Sequence, residues 1–208
     1  FERNSDGWIT KVYYPETKST FKGDCGSLRG YKTRVLPKDF SKPNIGITGL
    51  SSDFYGRNSF KDNGGGKYVV IVGGEEDALA AYQMLRDYQI QKKQDDYDPI
   101  PVVSVTSGEG SLAKQCADQY DWLDQFENII VCMDNDDAGR KATQEALRVL
   151  PESKARIMYC SLNDPSLMLQ KGKQTQFLSN CWDAKTEQEA GVSSIIDTMV
   201  GAQDYLLA

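Results

Sequence analysis

The chain has 208 residues, 39% of them hydrophobic, and a formal net charge of −6. This composition supports one large domain or two small ones, and the acidic balance argues against a tight, non-specific grip on nucleic acid. The sequence contains no histidine, and its five cysteines include no CxxC pair, which argues against a structural zinc site. An odd number of scattered cysteines is typical of reduced, buried thiols in an intracellular protein. The chain begins with Phe1 rather than Met, so we expect it to be part of a longer protein.

Residues 1–66 have the pattern of a small, mostly β subdomain. Polar and apolar residues alternate over residues 8–14, which predicts a half-buried strand with Trp8 packed against other residues. Residues 15–18 follow as a predicted turn, because proline presets the backbone angle that a turn requires. The glycine-rich residues 63–67 predict the end of this subdomain.

A second predicted strand, residues 31–35, carries several cations. Lys32 and Arg34 lie on the same side of it, because strand side chains repeat every two residues, and Lys38 follows shortly after. In an acidic protein, these three cations predict a strip that faces phosphate groups. The alternative is a solvated edge strand that lysine protects from pairing with another chain.

After residue 67 the pattern changes to alternating apolar strands and amphipathic helices, which predicts a parallel α/β sheet with right-handed crossovers. The first strand, Tyr68–Val72, is an apolar, β-branched run typical of a strand buried on both faces. Further strands are predicted at residues 101–105, 128–133 and 155–159. We therefore predict an α/β subdomain over residues 67–185, followed at 186–208 by a helical tail that leads toward a missing downstream domain.

Acidic residues follow the ends of three of these strands. They are Glu75, Glu76 and Asp77 after the first, Asp134 and Asp136 after the third, and Asp164 after the fourth. The carboxyl ends of parallel strands lie on one edge of a sheet, so these acids should meet in one crevice. Such clustering is unfavourable unless a cation neutralises it, and carboxylate oxygens suit Mg²⁺ or Mn²⁺. The alternative is that Asp136 only caps the following helix and that Asp134 is solvated.

Two further features of this edge suit phosphate. The glycine-rich loop that contains Ser107 and Gly108 opens a helix, whose first backbone N–H groups can bind an anion. A glycine loop is weak evidence by itself, because connections between strands and helices commonly carry one. Arg140, on the first turn of the helix after Asp136, can reach a phosphate in the crevice or remain solvated.

Three motifs carry a resemblance to a known fold: Glu75-x-Asp77, Asp134-x-Asp136-x-Ala138-Gly139-Arg140-Lys141 and Asn163-Asp164-Pro165. Together they resemble the TOPRIM fold of primases, topoisomerases and some nucleases. The chain is more narrowly similar to the primase (RNA polymerase) domain of phage primase–helicase proteins. That similarity includes residues 121–130, just before the Asp134 motif, and Tyr31-Lys32-x-Arg34.

The resemblance implies a TOPRIM-type parallel sheet flanked by helices and preceded by the small β subdomain. It also implies a DNA primase that makes short RNA primers on a single-stranded DNA template from ribonucleoside triphosphates, by metal-dependent nucleotidyl transfer. The metal ligands for Mg²⁺ or Mn²⁺ are then Asp134, Asp136 and Asp164. The residues that face nucleotide or primer phosphates are then Lys32, Arg34 and Lys38.

The same resemblance implies partners. Zinc-binding and helicase domains of the same polypeptide are expected, although this chain has neither a cysteine ligand set nor a GxxxxGK[ST] loop. A replication polymerase is a further expected partner, and a phage-encoded primase is expected to act in the host cytoplasm.

The chain departs from the resembled pattern at Gly73. The family has Glu-Gly-x-x-Asp at the end of the first strand, so Gly73 stands where a glutamate that is a metal ligand or a general acid/base is expected. The expected catalytic positions are thus 73, Asp77 and Asp134. Three explanations stay open: a deliberate inactivating substitution, natural loss of primase activity, or replacement of the missing acid by Glu75. The alternative function is a catalytically silent TOPRIM module that supports a replicative helicase on single-stranded DNA.

Overall fold

The computed structural model describes residues 1–20, 26–37, 43–60, 66–94 and 96–189. Lys38 and most of the predicted tail lie outside these ranges. Across the described part of the chain, no helix is both long and apolar enough to cross a membrane.

The amino-terminal part forms a four-stranded antiparallel sheet. Its strands, in chain order and in spatial order, are β1 (Glu2–Arg3), β2 (Ile9–Lys18), β3 (Ser27–Val35) and β4 (Ile45–Gly46). The long central pair, β2 and β3, forms most of this sheet. The β-rich character of this region is therefore as predicted.

Two details of this sheet correct the sequence predictions. β2 continues through residues 15–18, so the turn predicted there is wrong. Proline fits because β1 pairs with Ile9 and Lys11, so that Pro15 lies beyond the end of β1 and its missing N–H breaks no bond to that strand. Trp8 is 73% exposed rather than packed, because it lies in the tight connection between β1 and β2.

The carboxyl-terminal part forms a four-stranded parallel sheet. Its strands in chain order are β5 (Tyr68–Val72), β6 (Val102–Ser104), β7 (Asn128–Cys132) and β8 (Ala155–Ile157). Their spatial order is β6-β5-β7-β8, and every neighbouring pair is parallel. The parallel sheet and its four strands are as predicted, although the last three strands end earlier than expected.

Helices cover both faces of the parallel sheet. They are α1 (Glu75–Gln91), α2 (Leu112–Asp118), α3 (Tyr120–Leu123), α4 (Asp137–Leu147), α5 (Pro165–Gln170) and α6 (Gln174–Trp182). Val69 and Ile71 of β5 pack with residues of α2, α3 and α4, whereas Val70 and Val72 pack with residues of α1, α5 and α6. Because successive strand side chains point to opposite faces, an apolar run such as β5 fills two cores.

The two sheets meet along β6 and α1. Tyr55 and Ser104 exchange two backbone hydrogen bonds, of 2.9 and 3.2 Å, so that an antiparallel bridge extends the parallel sheet beyond β6. The side-chain oxygen of the buried Gln119 accepts hydrogen bonds from the Phe54 backbone and from Arg57, both at 3.2 Å. β3 is thereby placed beside the first turn of α1, where its cations form ion pairs.

Candidate active site

Several segments bring carboxylates to the carboxyl edge of the parallel sheet. β5 and β7 end level with each other there, with Val72 opposite Cys132. The carboxylates belong to Asp77 on α1, Glu109 in the loop after β6, Asp134 and Asp136 after β7, and Asp164 before α5. We call this group the acidic crevice.

Asp134 is the half-buried member of the pair that follows β7. Its backbone N–H donates to Glu109 Oε1 at 2.8 Å, and its Oδ1 lies 3.3 Å from the point that a Cβ at Gly73 would occupy. Burial raises the pKa of Asp134, and the carboxylates of Asp164 and Asp136 raise it further. Asp134 is thus partly buried rather than fully solvated.

Asp136 and Asp164 both cap helices. Asp136 Oδ1 accepts a hydrogen bond from the backbone N–H of Gly139 at 2.8 Å, and Asp164 Oδ1 accepts one from Leu167 at 2.6 Å. The capping interpretation of Asp136 is therefore correct, and it holds for Asp164 as well. Each cap uses one oxygen of a carboxylate that has two, so capping does not exclude a second contact to a cation.

Asp77 lies in the first turn of α1 and has a strongly perturbed acidity. Its pKa is raised from 3.8 to about 7, chiefly by burial and then by the carboxylates of Asp164 and Asp134. A hydrogen bond from the backbone N–H of Ser166 to Asp77 Oδ1, at 3.2 Å, acts in the opposite direction. A carboxyl group with a pKa near neutrality can exchange a proton at physiological pH, as a general acid or base must.

This acidity predicts how stability depends on pH in metal-free protein. The folded state holds the Asp77 proton up to about pH 7, whereas an unfolded aspartate loses it near 3.8, so stability falls as the pH rises between these values. Asp77→Asn removes this loss and keeps an oxygen that accepts from Ser166. In EDTA, we expect the Tm of the variant to equal that of wild type near pH 4 and to exceed it by several degrees above pH 7. Parallel Tm–pH profiles for the variant and wild type would contradict the shift; the exposed Asp121→Asn is the control.

Glu75 and Glu76 point away from the acidic crevice, contrary to the expectation that they share it. Glu75 forms an ion pair of 2.6 Å with Lys32, and Glu76 forms one of 2.8 Å with Arg34. Lys32 and Arg34 do lie on the same side of β3, as predicted, but they face these glutamates. Glu75 is buried in its ion pair, so the structure gives no support to the idea that it replaces the acid missing at Gly73.

Because Glu75 is buried, losing its partner should be costly. Its side chain is 7% exposed and that of Lys32 is 32% exposed, so Lys32→Ala leaves an uncompensated charge and is expected to cost about 2 kcal/mol of unfolding free energy. Urea denaturation measures this loss, and a Lys32→Ala/Glu75→Ala double variant should recover part of it. Lys114→Ala, which breaks the exposed pair with Asp118, is the control and should cost less than about 0.5 kcal/mol. Equal losses for the two lysine variants would contradict the prediction.

Three of the residues predicted to bind phosphate, Ser107, Gly108 and Arg140, occupy exposed positions. Ser107 and Gly108 lie in the loop after β6, where a positive φ of 78° favours glycine at position 108. Arg140 lies on the first turn of α4 and donates to Asp137 Oδ1 at 2.7 Å and to Asn135 Oδ1 at 3.2 Å. Lys38 lies outside the described residues. Phosphate binding by these side chains stays a prediction.

Glu109 is the member of the acidic crevice that sequence reasoning missed. Burial raises its pKa, as do the nearby carboxylates of Asp134 and Asp136, while the hydrogen bond from the Asp134 backbone opposes them. The sequence predicts a role in phosphate binding only for the backbone N–H groups of the loop that contains Glu109. The sequence does contain one indication of it: with no acid at Gly73, an acid that follows the neighbouring strand β6 becomes a candidate for the same place.

The donor chemistry of the crevice fits a divalent cation. The crevice consists of carboxylates, and burial together with mutual repulsion raises the pKa of Asp77, Asp134 and Glu109. A bound cation would remove that repulsion, and carboxylate oxygens are ligands for Mg²⁺ and Mn²⁺. As these side chains are placed, however, the described residues contain no group of three or more His, Cys, Asp or Glu arranged to hold a metal ion. Instead, Asp136 and Asp164 cap helices, and Glu109 and Asp77 accept hydrogen bonds from backbone N–H groups.

Comparison with known proteins confirms the predicted resemblance. Residues 70–168 match the Toprim-like family. This segment runs from β5 into α5 and includes all the carboxylates of the acidic crevice. Residues 70–168 are therefore similar to Toprim-like domains.

The similarity to phage primases covers more of the chain. Over 132 residues the chain is 37% identical to the DNA helicase/primase of Enterobacteria phage T3. This match covers 64% of this chain and 21% of the phage protein. The chain thus spans about a fifth of the length of that relative.

Solved structures of bacteriophage T7 proteins are similar across most of the fold. One shows the T7 lagging-strand DNA polymerase interacting with primase domains bound to an RNA/DNA hybrid and dTTP. It matches with a TM-score of 0.68 and 29% identity over 85% of this chain and 79% of that one. The primase fragment of the T7 primase–helicase protein gives a TM-score of 0.66 and 29% identity over 83% and 63% of the two chains. The Aquifex aeolicus primase, 16% identical with a TM-score of 0.61 over 93% and 45%, shares the fold.

Proposed function

We propose that this chain is the catalytic part of a DNA primase, which makes short RNA primers on single-stranded DNA from ribonucleoside triphosphates. The observation that carries the proposal is the acidic crevice at the carboxyl edge of a Toprim-like sheet. Its acids come from separate segments, and burial and neighbouring carboxylates raise the pKa of Asp77, Asp134 and Glu109. Such an arrangement is costly to the fold and is typical of a functional site. The similarity to phage primases supplies the reaction.

In this proposal Asp134, Asp136 and Asp164 would hold Mg²⁺ or Mn²⁺. The bound cation would orient nucleotide phosphates and stabilise charge on the attacking and leaving oxygens. The carboxylate of Asp77 would accept the proton of a primer 3′-hydroxyl, because its pKa of about 7 allows proton exchange near neutral pH.

The cations of the amino-terminal sheet would bind the phosphates of the nucleotide or the primer. Lys32 and Arg34 keep this role while paired with Glu75 and Glu76, because a cation in an ion pair can still donate to a second anion. Lys38, Ser107, Gly108 and Arg140 complete the proposed phosphate-binding set.

The proposal extends to organisation and partners. Residues 1–66 would be the amino-terminal β subdomain, residues 67–185 the TOPRIM subdomain, and residues 186–208 the connection to a downstream domain. Zinc-binding and helicase domains of the same polypeptide, the template strand and a replication polymerase would be the partners, in the host cytoplasm. The replication polymerase is included because the similar T7 primase domains interact with the T7 lagging-strand DNA polymerase in a solved structure.

A second candidate function is a catalytically silent module that supports a replicative helicase on single-stranded DNA. The observation that favours it is Gly73, because the resembled pattern has a glutamate there. The retained Asp134, Asp136 and Asp164 favour the primase instead.

Primer synthesis decides between these two functions. The domain, joined to its natural flanking sequence, is incubated with single-stranded DNA, labelled ribonucleoside triphosphates and Mg²⁺ or Mn²⁺. The primase proposal predicts short RNA products that require template and divalent cation. A folded protein that makes no dinucleotide, also after Gly73→Glu, would contradict the primase and favour the silent module.

A further inference from the structure

We propose that Glu109 is a cation-binding acid of the crevice and fills the place that a side chain at position 73 would occupy. This inference rests on the proposed function, because it assigns Glu109 to the same metal-dependent site. It adds a residue from the loop after β6 to a ligand set otherwise drawn from the segments after β7 and β8.

The first observation is the space beside Gly73. A Cβ at this position would lie 2.9 Å from Glu109 Oε1 and 3.4 Å from Glu109 Cγ. The shorter distance is below the approach that real Cβ atoms make, so a side chain at residue 73 requires the flexible end of Glu109 to leave the volume that it now occupies. The φ of Gly73 is not positive, so available space, not backbone conformation, distinguishes glycine from other residues here.

The second observation is the direction of the Glu109 carboxylate. Its Oε1 accepts from the Asp134 backbone N–H at 2.8 Å, and Asp134 Oδ1 lies 3.3 Å from the same Cβ point at Gly73. The carboxylates of Glu109 and Asp134 therefore border one gap, between the ends of β5 and β7. Glu109 begins the 3-10 turn Glu109–Ser111, which packs against α4. This packing fixes the position from which the Glu109 carboxylate reaches the gap.

A purely structural role for Glu109 makes a different prediction. If the side chain only holds the Asp134 backbone, the acceptor oxygen matters and the charge does not. Glutamine keeps the acceptor oxygen and removes the charge, so Glu109→Gln separates the two roles. Glu127→Gln is the matched control, because it removes the same charge from an exposed residue just before β7.

The direct test is Mn²⁺ binding, measured as free Mn²⁺ by electron paramagnetic resonance during titration of the domain with its natural flanks. We expect Glu109→Gln to weaken Mn²⁺ binding by at least about tenfold, with Tm unchanged or higher, and Glu127→Gln to bind as wild type does. Equal Mn²⁺ affinity for Glu109→Gln and wild type would overturn the role of Glu109 while leaving the proposed function standing. A wild-type domain that binds no Mn²⁺ overturns both.

A transplanted acid gives a second, independent test. In the Glu109→Ala background, Gly73→Glu should return Mn²⁺ affinity to within about threefold of wild type, because the freed space can then hold a carboxylate on residue 73. In the wild-type background the same substitution should give no gain, because Glu109 already fills that space. Failure of the double variant to recover binding, while it folds normally by circular dichroism, would contradict the proposed equivalence of the two positions.

Discussion

Asp134→Asn is expected to lower primer synthesis by at least about 100-fold, because it removes a proposed cation ligand at the centre of the acidic crevice. Asparagine has nearly the same shape and leaves the backbone N–H free to donate to Glu109. The pKa of Asp134 is raised by burial and by Asp164 and Asp136, so its charge is unfavourable in metal-free protein. Removing that charge should leave the Tm unchanged or raise it above pH 7.

The two readouts together distinguish lost chemistry from a damaged fold. Primer synthesis is measured with saturating Mg²⁺ or Mn²⁺, and Tm is measured in EDTA. The control is Asp96→Asn, an exposed aspartate in the connection between α1 and β6, which should retain wild-type activity. A variant of Asp134 that synthesises primers at the wild-type rate would contradict the assignment of the crevice as the active site.

Gly139→Ala is expected to destabilise the protein by about 3 kcal/mol, at the upper end of the range for overpacking a core. A Cβ at Gly139 would overlap the carbonyl oxygen of Asp134 and lie 3.0 Å from its carbonyl carbon and its backbone nitrogen. These are backbone atoms at a strand end, so they cannot rotate away as a side chain can. The close approach places the first turn of α4 directly beside the crevice, where the Gly139 N–H donates to Asp136 Oδ1.

Gly110→Ala is the control, since a Cβ there would meet nothing within 4 Å. Both variants are measured by urea denaturation, with primer synthesis as a second readout. We expect Gly110→Ala to stay within about 0.5 kcal/mol of wild type, whereas Gly139→Ala should lose stability and activity together. A Gly139→Ala protein as stable as wild type would show that α4 can move away from β7 without cost.

The parallel sheet was predictable because its strands are buried on both faces. Tyr68–Val72 and the apolar segments at 101–105 and 128–133 are too continuous for a half-exposed strand, and the segments between the strands show helical spacing of apolar residues. The position of the acids after β7 and β8 was also predictable, because the residues that follow parallel strands lie at the same edge of the sheet. Their helix caps could also be anticipated, since aspartate commonly precedes a first helical turn.

The amino-terminal sheet was harder to predict from sequence. Pro15 is a turn signal, yet β2 continues through it because β1 ends before reaching it. Trp8 is a strong core residue by type, but it lies in the exposed connection between two strands. In both cases the outcome depends on where neighbouring strands end, which local sequence does not specify.

The partners of charged residues were the least predictable feature. Glu75, Glu76 and Asp77 are consecutive, yet the first two pair with cations of β3 and the third turns into the crevice. Successive helical residues point about 100° apart, so adjacent acids reach different neighbours. Glu109 was missed for a similar reason, because its importance depends on the space beside Gly73, which follows a different strand, β5.

Anomalous diffraction from a crystal grown with Mn²⁺ and a nucleoside triphosphate tests the central claim most directly. The account predicts an Mn²⁺ peak at the carboxyl edge of the parallel sheet, within ligand distance of Asp134 and with Glu109 beside Gly73 contributing an oxygen. A crystal that shows nucleotide bound elsewhere and no Mn²⁺ among the acids of the crevice would contradict it.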